Sequence, residues 1–328
     1  MIKFLSSPRM TENIRSESGN GKRWDMMIEK MDKVVVLLST YNGEKFLEEQ
    51  LRSLQGQIGV DVTVLVRDDG STDNTHAILD EWSKNGFLSW YTGPNLGPAK
   101  SFLDLLCNAP DADYYAFCDQ DDVWLSDKLH RGVQALRSCN GDYKLYFSPA
   151  ILVDSSLNII GELPLNYKFT MGEAVVTNPA TGCTMLFNSN LKKLVAMYPP
   201  QVIEMHDEWV YKVCLFMNGT IYADKESRIY YRQHGNNVVG AKEPFLKGFA
   251  RHFALLFAKG GSRSGALCEI YRQYKSIMPK ENADILETVH AYATSWSGRL
   301  GLLGVPGLSA PSSLTMFKFY MAVLFGKF

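Results

Sequence analysis

The chain of 328 residues contains no run of apolar residues approaching the roughly 18 to 20 that a helix needs to cross a bilayer, so no helical membrane span is expected. Charge of one sign is not in excess either. The 34 Lys and Arg face 35 Asp and Glu, which removes the electrostatic case for nucleic acid as the main partner. Cysteine is sparse and scattered: Cys107, Cys118, Cys139, Cys183, Cys214 and Cys268 form no C-x-x-C pair and lie mostly beside apolar residues. That pattern argues against a disulfide framework and for small buried hydrophobes in a reducing, cytosolic compartment. Neither G-x-x-x-x-G-K-S/T nor a G-x-G-x-x-G after the first strand-like run is present, which argues against P-loop and dinucleotide-dehydrogenase chemistry. Internal repeats and low-complexity stretches are missing as well. Residues 1–31 lack the apolar h-region of a signal peptide. Their mixture of Ser, Glu, Asn, Arg and Gly reads as a flexible tail, with Met26, Met27 or Met31 as an alternative start.

From Lys33 the pattern becomes regular. Val34 to Leu38 is a continuous β-branched and aliphatic run, the mark of a strand buried on both faces, and Phe46, Leu47, Leu51 and Leu54 follow at helical spacing. Val60 to Val66 repeats the strand signature before a helix marked by Ile78, Leu79 and Trp82. A short strand near Leu88 to Tyr91 leads to a helix carrying Phe102, Leu103, Leu105 and Leu106, and Tyr114 to Phe117 reads as a fourth strand. Alternating strands and helices predict an α/β fold with a mostly parallel sheet covered on both faces. Ligands of such sheets bind beyond the carboxyl ends of the strands. Three strand ends here carry polar clusters: Ser39-Thr40-Tyr41-Asn42-Gly43, Arg67-Asp68-Asp69-Gly70-Ser71-Thr72-Asp73, and Asp119-Gln120-Asp121-Asp122 before Val123-Trp124.

Three carboxylates in four positions at a buried strand end raise one another's pKa unless a cation or donor hydrogen bonds compensate. Oxygen ligands of this kind suit Mg²⁺ or Mn²⁺. A metal held by Asp119 and Asp121, or by Asp121 and Asp122, would neutralise a diphosphate, so a nucleoside diphosphate is the expected ligand. Tyr41 can stack on a base, and Asp68 can accept the imide N–H that uracil and thymine have and adenine lacks. The competing readings are a solvated acidic turn capping a helix from near Ser126, and an ordinary Asx turn over Asp68 to Ser71. Arg232, Gln233 and His234 follow the strand-like Ile229-Tyr230-Tyr231 and can donate to a departing diphosphate. His234 can also complete a metal's ligand set as a neutral imidazole. Lys100 is a further candidate diphosphate contact. His76, His130, His252 and His290 sit in helical patterns and read as surface or core residues.

As a set, the three rim clusters together with His206-Asp207 and Tyr231-Arg232-Gln233-His234 resemble glycosyltransferase family 2, within it the bacterial rhamnosyltransferase-like group of cell-surface polysaccharide assembly, over residues 33–240. The resemblance implies the GT-A fold: a Rossmann-like, mostly parallel central sheet flanked by helices, with a helical C-terminal extension. It implies that Ser39, Tyr41 and Asp68 hold the nucleoside, Asp119 the ribose or diphosphate, and Asp121 the Mg²⁺ or Mn²⁺, with Asp119 and His234 as further ligands. Thr40, Asn42, Asp69, Gln120 and Asp122 join the same nucleotide-sugar pocket, with Lys100, Arg232 and Gln233. The family also places a carboxylate from the second half beside the acceptor hydroxyl as general base. His206-Asp207-Glu208 supplies it, with Asp207 favoured. Glu208 stands where the group carries an aromatic, so it remains a second candidate, and a structural His206–Asp207 pair at a helix start is the plainer reading.

The implied activity is inverting, metal-dependent transfer of a sugar, rhamnose favoured, from a nucleotide-diphosphate sugar to a hydroxyl of a lipid-linked oligosaccharide in O-antigen or capsule synthesis. A UDP-hexose transferase (glucose, galactose or N-acetylglucosamine) is the alternative. A sugar-1-phosphate nucleotidyltransferase fits less well, because the first loop, Tyr41-Asn42-Gly43, lacks the Gly-rich basic element such enzymes need. The expected organisation is a GT-A domain over 32–240, divided into a nucleotide-sugar-binding half (32–148) and an acceptor-binding half (149–240), then a helical region over 241–328. Phe245, Phe249, Phe253, Leu256 and Phe257 share one helical face inside the window 242–275, which holds seven Lys and Arg against two Glu. Met316 to Phe325 is similarly apolar, with Lys318 and Lys327 nearby. Both stretches suit an anionic lipid surface, so the expected location is cytoplasmic and peripheral on the inner face of the cytoplasmic membrane; packing on the core is the alternative.

Overall fold

The computed structural model describes residues 31–233, 262–292 and 294–328. The tail over 1–30, His234, His252 and the face from Phe245 to Phe257 lie outside the described residues.

The first strand, β1 (Lys33–Thr40), sends alternate side chains into different cores. Val35 and Leu37 join Phe117, Phe187 and Trp209 on one face, whereas Val34, Val36 and Leu38 join Leu47, Leu51 and Val64 on the other. This is the two-residue period of a strand covered on both sides, and it accounts for the unbroken apolar run. The chain continues through α1 (Leu47–Gln55), β2 (Asp61–Asp68), α2 (Thr75–Lys84), β3 (Leu88–Thr92), α3 (Pro98–Asn108) and β4 (Tyr114–Cys118). β1 lies between β2 and β4, parallel to both, and the register sets Thr40 opposite Asp68 and Leu38 opposite Cys118. The three polar clusters therefore leave the sheet at one level.

Beyond the carboxylate loop the strands shorten. β5 (Val123–Trp124) precedes α4 (Lys128–Ser138), β6 (Lys144–Phe147), β7 (Ala150–Val153), β8 (Ile159–Leu163) and α5 (Met171–Val176). A 3-10 turn (Gly182–Thr184) then leads to β9 (Leu186–Asn188), α6 (Ser189–Met197), α7 (His206–Phe216), β10 (Thr220–Ala223) and β11 (Ile229–Arg232). The main sheet has the order β10-β6-β9-β4-β1-β2-β3, in which β9 alone runs antiparallel to its neighbours. A second sheet, β5-β11-β7-β8, pairs Ile229 with Trp124 and Tyr230 with Val123, and so brings Arg232 to the carboxylate loop.

Four helices close the described chain: α8 (Ser262–Tyr274), α9 (Lys280–Tyr292), α10 (Trp296–Leu303) and α11 (Ser313–Leu324). Their Leu267, Ile270, Leu286, Leu302, Phe319 and Val323 belong to the same core as Phe187 and Trp209. Among the described residues no helix is long and apolar enough to cross a membrane.

The closeness of this packing is testable at Gly172 on α5, where an added Cβ would overlap the backbone carbonyl of Gly307 between α10 and α11. Gly172→Ala should lower unfolding stability by about 1–3 kcal/mol in urea titrations, the cost of overpacking against backbone that cannot yield. An unchanged midpoint would refute the contact.

Candidate active site

At the end of β2, Asp68 is buried and its two oxygens differ in what they meet. Oδ2 accepts hydrogen bonds from the N–H groups of Gly70 (3.1 Å) and Ser71 (3.0 Å), from the Thr92 hydroxyl (3.0 Å) and from His76 Nε2 (2.8 Å). Oδ1 is buried with no partner among the described residues. Burial works against ionisation of Asp68, but the bonds from Ser71, His76 and Thr92 outweigh it and hold the carboxyl below its ordinary value. An ionised oxygen with no donor of its own is the acceptor an imide N–H requires. Beside it the Tyr41 ring is 48% exposed and available for stacking.

The other rim residues hold the loops together. Asp69 is ion-paired with the buried Arg67 and accepts from the N–H groups of Leu96 and Gly97 (both 2.9 Å), which fixes the loop before α3. Arg67 also donates to Asp104 (3.0 Å), Ser101 (3.1 Å) and the Pro94 carbonyl (3.0 Å), and Ser101 shares a hydrogen bond with Ser39 (2.7 Å). Gln120 bridges the first and third rims: its Oε1 accepts from Thr40 Oγ1 (2.6 Å) and Tyr41 N–H (2.8 Å), and its Nε2 donates to the Tyr41 carbonyl (3.2 Å). Asn42, in the left-handed region at φ 49°, joins the first rim to the second through Ser71 Oγ (2.8 Å) and Thr72 N–H (2.9 Å). Lys100 lies exposed on the first turn of α3.

On the third rim, Asp119, Asp122 and Cys183 each bring one potential ligand atom, all within 4.8 Å of one another. Asp122 Oδ1 accepts from the Arg232 N–H (3.1 Å), while Oδ2 is buried with no partner among the described residues. Burial, followed by the charges of Asp121 and Asp207, pushes Asp119 up to about 7. Burial with Asp119 and Asp121 pushes Asp122 well above its ordinary value, and the Cys183 thiol is raised well up by burial, Asp122 and Asp119. Lys128, buried with its Nζ 3.5 Å over the Trp124 ring, is pushed down to about 8 by burial despite the Cys183, Cys118 and Asp122 beside it. One cation of this kind does not balance the cluster. The orphaned Asp122 oxygen and the concentrated like charge fit a divalent cation, which Asp119, Asp122 and Cys183 would hold. The oxygens suit Mg²⁺ or Mn²⁺. Asp121, the metal ligand expected from the sequence, stands beside this group, and its charge acts on Asp119 and Asp122.

Arg232 supports the loop from within the protein. It donates from Nε to the Asp121 carbonyl (2.7 Å), from Nη1 to the Ser155 carbonyl (2.7 Å) and from Nη2 to Glu49 (2.5 Å), and it lies 4.3 Å from the Phe46 ring centroid. The structure thus shows Arg232 anchoring the carboxylate loop, where the sequence suggested a donor to diphosphate. Gln233 donates its N–H to the Val153 carbonyl (2.8 Å).

The first turn of α7 separates the two candidate bases. Asp207 accepts from Gly182 N–H (3.0 Å) and Glu208 N–H (2.6 Å), and burial pushes it up to about 7 against those bonds. Its charge acts on Asp119, so the carboxylate belongs to the rim. Glu208 is in an ion pair with the buried Lys212 (2.6 Å); burial raises its pKa, but Lys212 and then Arg263 lower it further, and it stays below its ordinary value. His206 stacks on Phe102 at 4.0 Å and meets Phe117 edge-on at 4.6 Å, and burial pushes its imidazole down to about 3. A Cβ at Gly182 would fall 2.5 Å from His206 Nε2, so only glycine lets the Asp207 partner come this close.

Four residues of the site were given no individual role from the sequence. Arg67 stood in the second polar cluster, Lys128 was not singled out, His76 read as a surface or core residue of a helix and Cys183 as a small buried hydrophobe. For His76, its position in the first turn of a helix that follows an Asp-rich loop was the available clue.

The Glycosyl transferase family 2 model matches residues 35–178. The chain is 30% identical over 230 residues to dTDP-rhamnosyl transferase RfbG of Shigella flexneri, covering 65% of this chain and 77% of that protein. It is 25% identical over 150 residues to the UDP-Glc:alpha-D-GlcNAc-diphosphoundecaprenol beta-1,3-glucosyltransferase WfgD of Escherichia coli, covering 46% of this chain and 57% of that one. Among solved structures it is similar to S. aureus TarS 1–349, with a TM-score of 0.56 at 18% identity over 89% of this chain and 81% of that one, a likeness of fold that agrees with the GT-A architecture.

Asp119 and Asp207 both rise from 3.8 to about 7. Between about pH 4 and pH 7 the folded chain therefore holds protons that the unfolded chain has released, and these two groups make stability fall as pH rises through that window. Melting temperatures taken between pH 5 and pH 8 should decline less steeply for Asp119→Asn than for the parent, and Mn²⁺ should recover the parent's loss at about pH 8. Parallel profiles without any response to Mn²⁺ would contradict the charge-crowded site.

Proposed function

This chain belongs to glycosyltransferase family 2 and is a glycosyltransferase; we propose that it transfers a sugar, rhamnose favoured, from a pyrimidine nucleoside diphosphate to a hydroxyl of a lipid-linked saccharide, with inversion. The observation that carries the reading is the pair of buried carboxylate oxygens without a partner among the described residues, Asp68 Oδ1 at the end of β2 and Asp122 Oδ2 in the loop after β4, on either side of β1. One suits a base N–H and the other a cation. The Shigella relative, a dTDP-rhamnosyl transferase, favours rhamnose, and the Escherichia relative, a glucosyltransferase that uses UDP-Glc and a diphosphoundecaprenol-linked acceptor, supports both such an acceptor and UDP-glucose as the alternative donor. A lipid-linked acceptor would set the enzyme to work at the inner face of the cytoplasmic membrane.

In this reading residues 32–148 bind the donor. Tyr41 stacks on the base, Asp68 accepts its imide N–H, and Ser39 lies by the nucleoside. Asp119, Asp122 and Cys183 would hold Mg²⁺ or Mn²⁺, which when bound supplies the countercharge for the diphosphate. Residues 149–240 present the acceptor. Asp207, with its pKa near 7, takes the proton from the acceptor hydroxyl. The oxygen attacks the anomeric carbon from the face opposite the diphosphate, the carbon–oxygen bond to phosphate breaks, and its electron pair leaves with the nucleoside diphosphate. The configuration inverts because one displacement occurs. The ion pair of Glu208 with Lys212 supports Asp207 over Glu208 for this role.

Purified protein with Mn²⁺ should release nucleoside diphosphate from dTDP-rhamnose, or from UDP-glucose in the alternative reading, and Asp122→Ala should abolish release. Asp207→Asn should cut kcat by roughly 10²- to 10⁴-fold while calorimetry shows donor affinity retained, as loss of a general base predicts. Release from no donor together with no donor binding would overturn the reading; near-parental turnover in Asp207→Asn would overturn the choice of base.

A further inference from the structure

The two last helices carry apolar side chains on faces turned away from the core. On α11, Phe319 and Val323 are buried, while Leu314, Phe317, Met321 and Phe325 recur at spacings of three and four on the opposite side, with Lys318 among them. Phe317 and Phe325 are 60% and 61% exposed, values that rule out core packing for these rings. On α10, Trp296 is 65% exposed and Leu300, one turn on, is exposed with it. Arg299 connects the two faces: its guanidinium lies 4.8 Å from the Trp296 ring centroid and donates to the Leu324 carbonyl (3.3 Å). Behind it a cavity of about 370 Å³ is lined by Arg272, His290 and Arg299.

We propose that this surface docks on an anionic phospholipid membrane, with the rings of Trp296, Phe317 and Phe325 entering the interface and Arg299, Lys318 and Lys327 meeting lipid phosphates. Charge decides the occupant. From Thr294 to Phe328 the chain has those three cations and no Asp or Glu. A second copy meeting this face symmetrically would set cations against cations with no carboxylate side chain from this stretch to pair them. Anionic headgroups supply the missing charge, and apolar rings beside basic groups are what an interfacial surface requires. The inference does not depend on the donor or the acceptor: vesicle binding and sugar transfer are read separately, and either can fail alone.

The test is co-sedimentation of the full chain with phosphatidylcholine vesicles and with vesicles containing phosphatidylglycerol, for the parent, for Trp296→Ser/Phe317→Ser/Phe325→Ser and for Lys318→Glu/Lys327→Glu. Trp296, Phe317, Phe325 and Lys327 are exposed and Lys318 is half-buried, with none in the core, so both variants should keep the parent's melting temperature and its donor hydrolysis. The parent should bind anionic vesicles at least about tenfold more tightly than neutral ones, high salt should weaken that binding, and each variant should lose most of it. Absence of binding to anionic vesicles, or equal binding by all three proteins, would overturn the proposal. So would a parental dimer in ultracentrifugation that both variants dissociate.

Discussion

Mutual repulsion among buried carboxylates is the constraint on which the active-site end of this protein depends. Asp119, Asp121 and Asp122 leave β4 together, and Asp207 arrives from α7 close enough to act on Asp119. Even at an effective dielectric constant of about 20, two unit charges 4 Å apart interact by about 4 kcal/mol. Burial first, and neighbouring carboxylate charge after it, pushes both Asp119 and Asp207 up to about 7, so the cluster resists full ionisation at neutral pH. Lys128 reduces the imbalance from one side, and the Arg232 N–H does so from another. What remains is an excess of negative charge that the proposed divalent cation would balance.

Around this cluster, atoms that hold the loops are distinct from atoms left for a ligand. Thr40, Asn42, Asp69 and Gln120 direct their polar atoms to neighbouring loops, and Arg67 and Arg232 brace those loops from the interior. Tyr41, Asp68 Oδ1 and Asp122 Oδ2 remain directed at no protein donor among the described residues. A site whose supporting hydrogen bonds are already made loses little freedom when its ligand arrives, which favours binding and catalysis alike. The same division operates at α7, where Glu208 is ion-paired with Lys212 and Asp207 accepts from the N–H groups of Gly182 and Glu208.

The last helices show how one apolar composition serves two environments. Phe319 and Val323 complete the core that begins at the central sheet, whereas Leu314 and Phe317 on the same helix face outwards. A helix apolar on both sides has a second face that the proposed membrane surface would cover.

The strands and helices from Lys33 to Cys118 were legible in the sequence because each buried strand is an unbroken aliphatic run and each helix repeats its apolar residues every three or four positions. The three polar rims were legible for the same reason, since each abuts a run whose end the pattern marks. From Ser148 onwards the strands have three to five residues, too few to show a period, so the antiparallel β9 and the second sheet could not be read. Residue types fixed the class of chemistry: clustered carboxylates after a buried strand, an aromatic in the first loop and a carboxylate in the second half. Tertiary structure decided which atoms meet. Cys183 joined Asp119 and Asp122, His76 joined Asp68, Arg232 turned inwards, and Asp207 was separated from Glu208, because each outcome rests on contacts between residues distant along the chain or on the direction a side chain takes from its helix, and neither is encoded in local spacing.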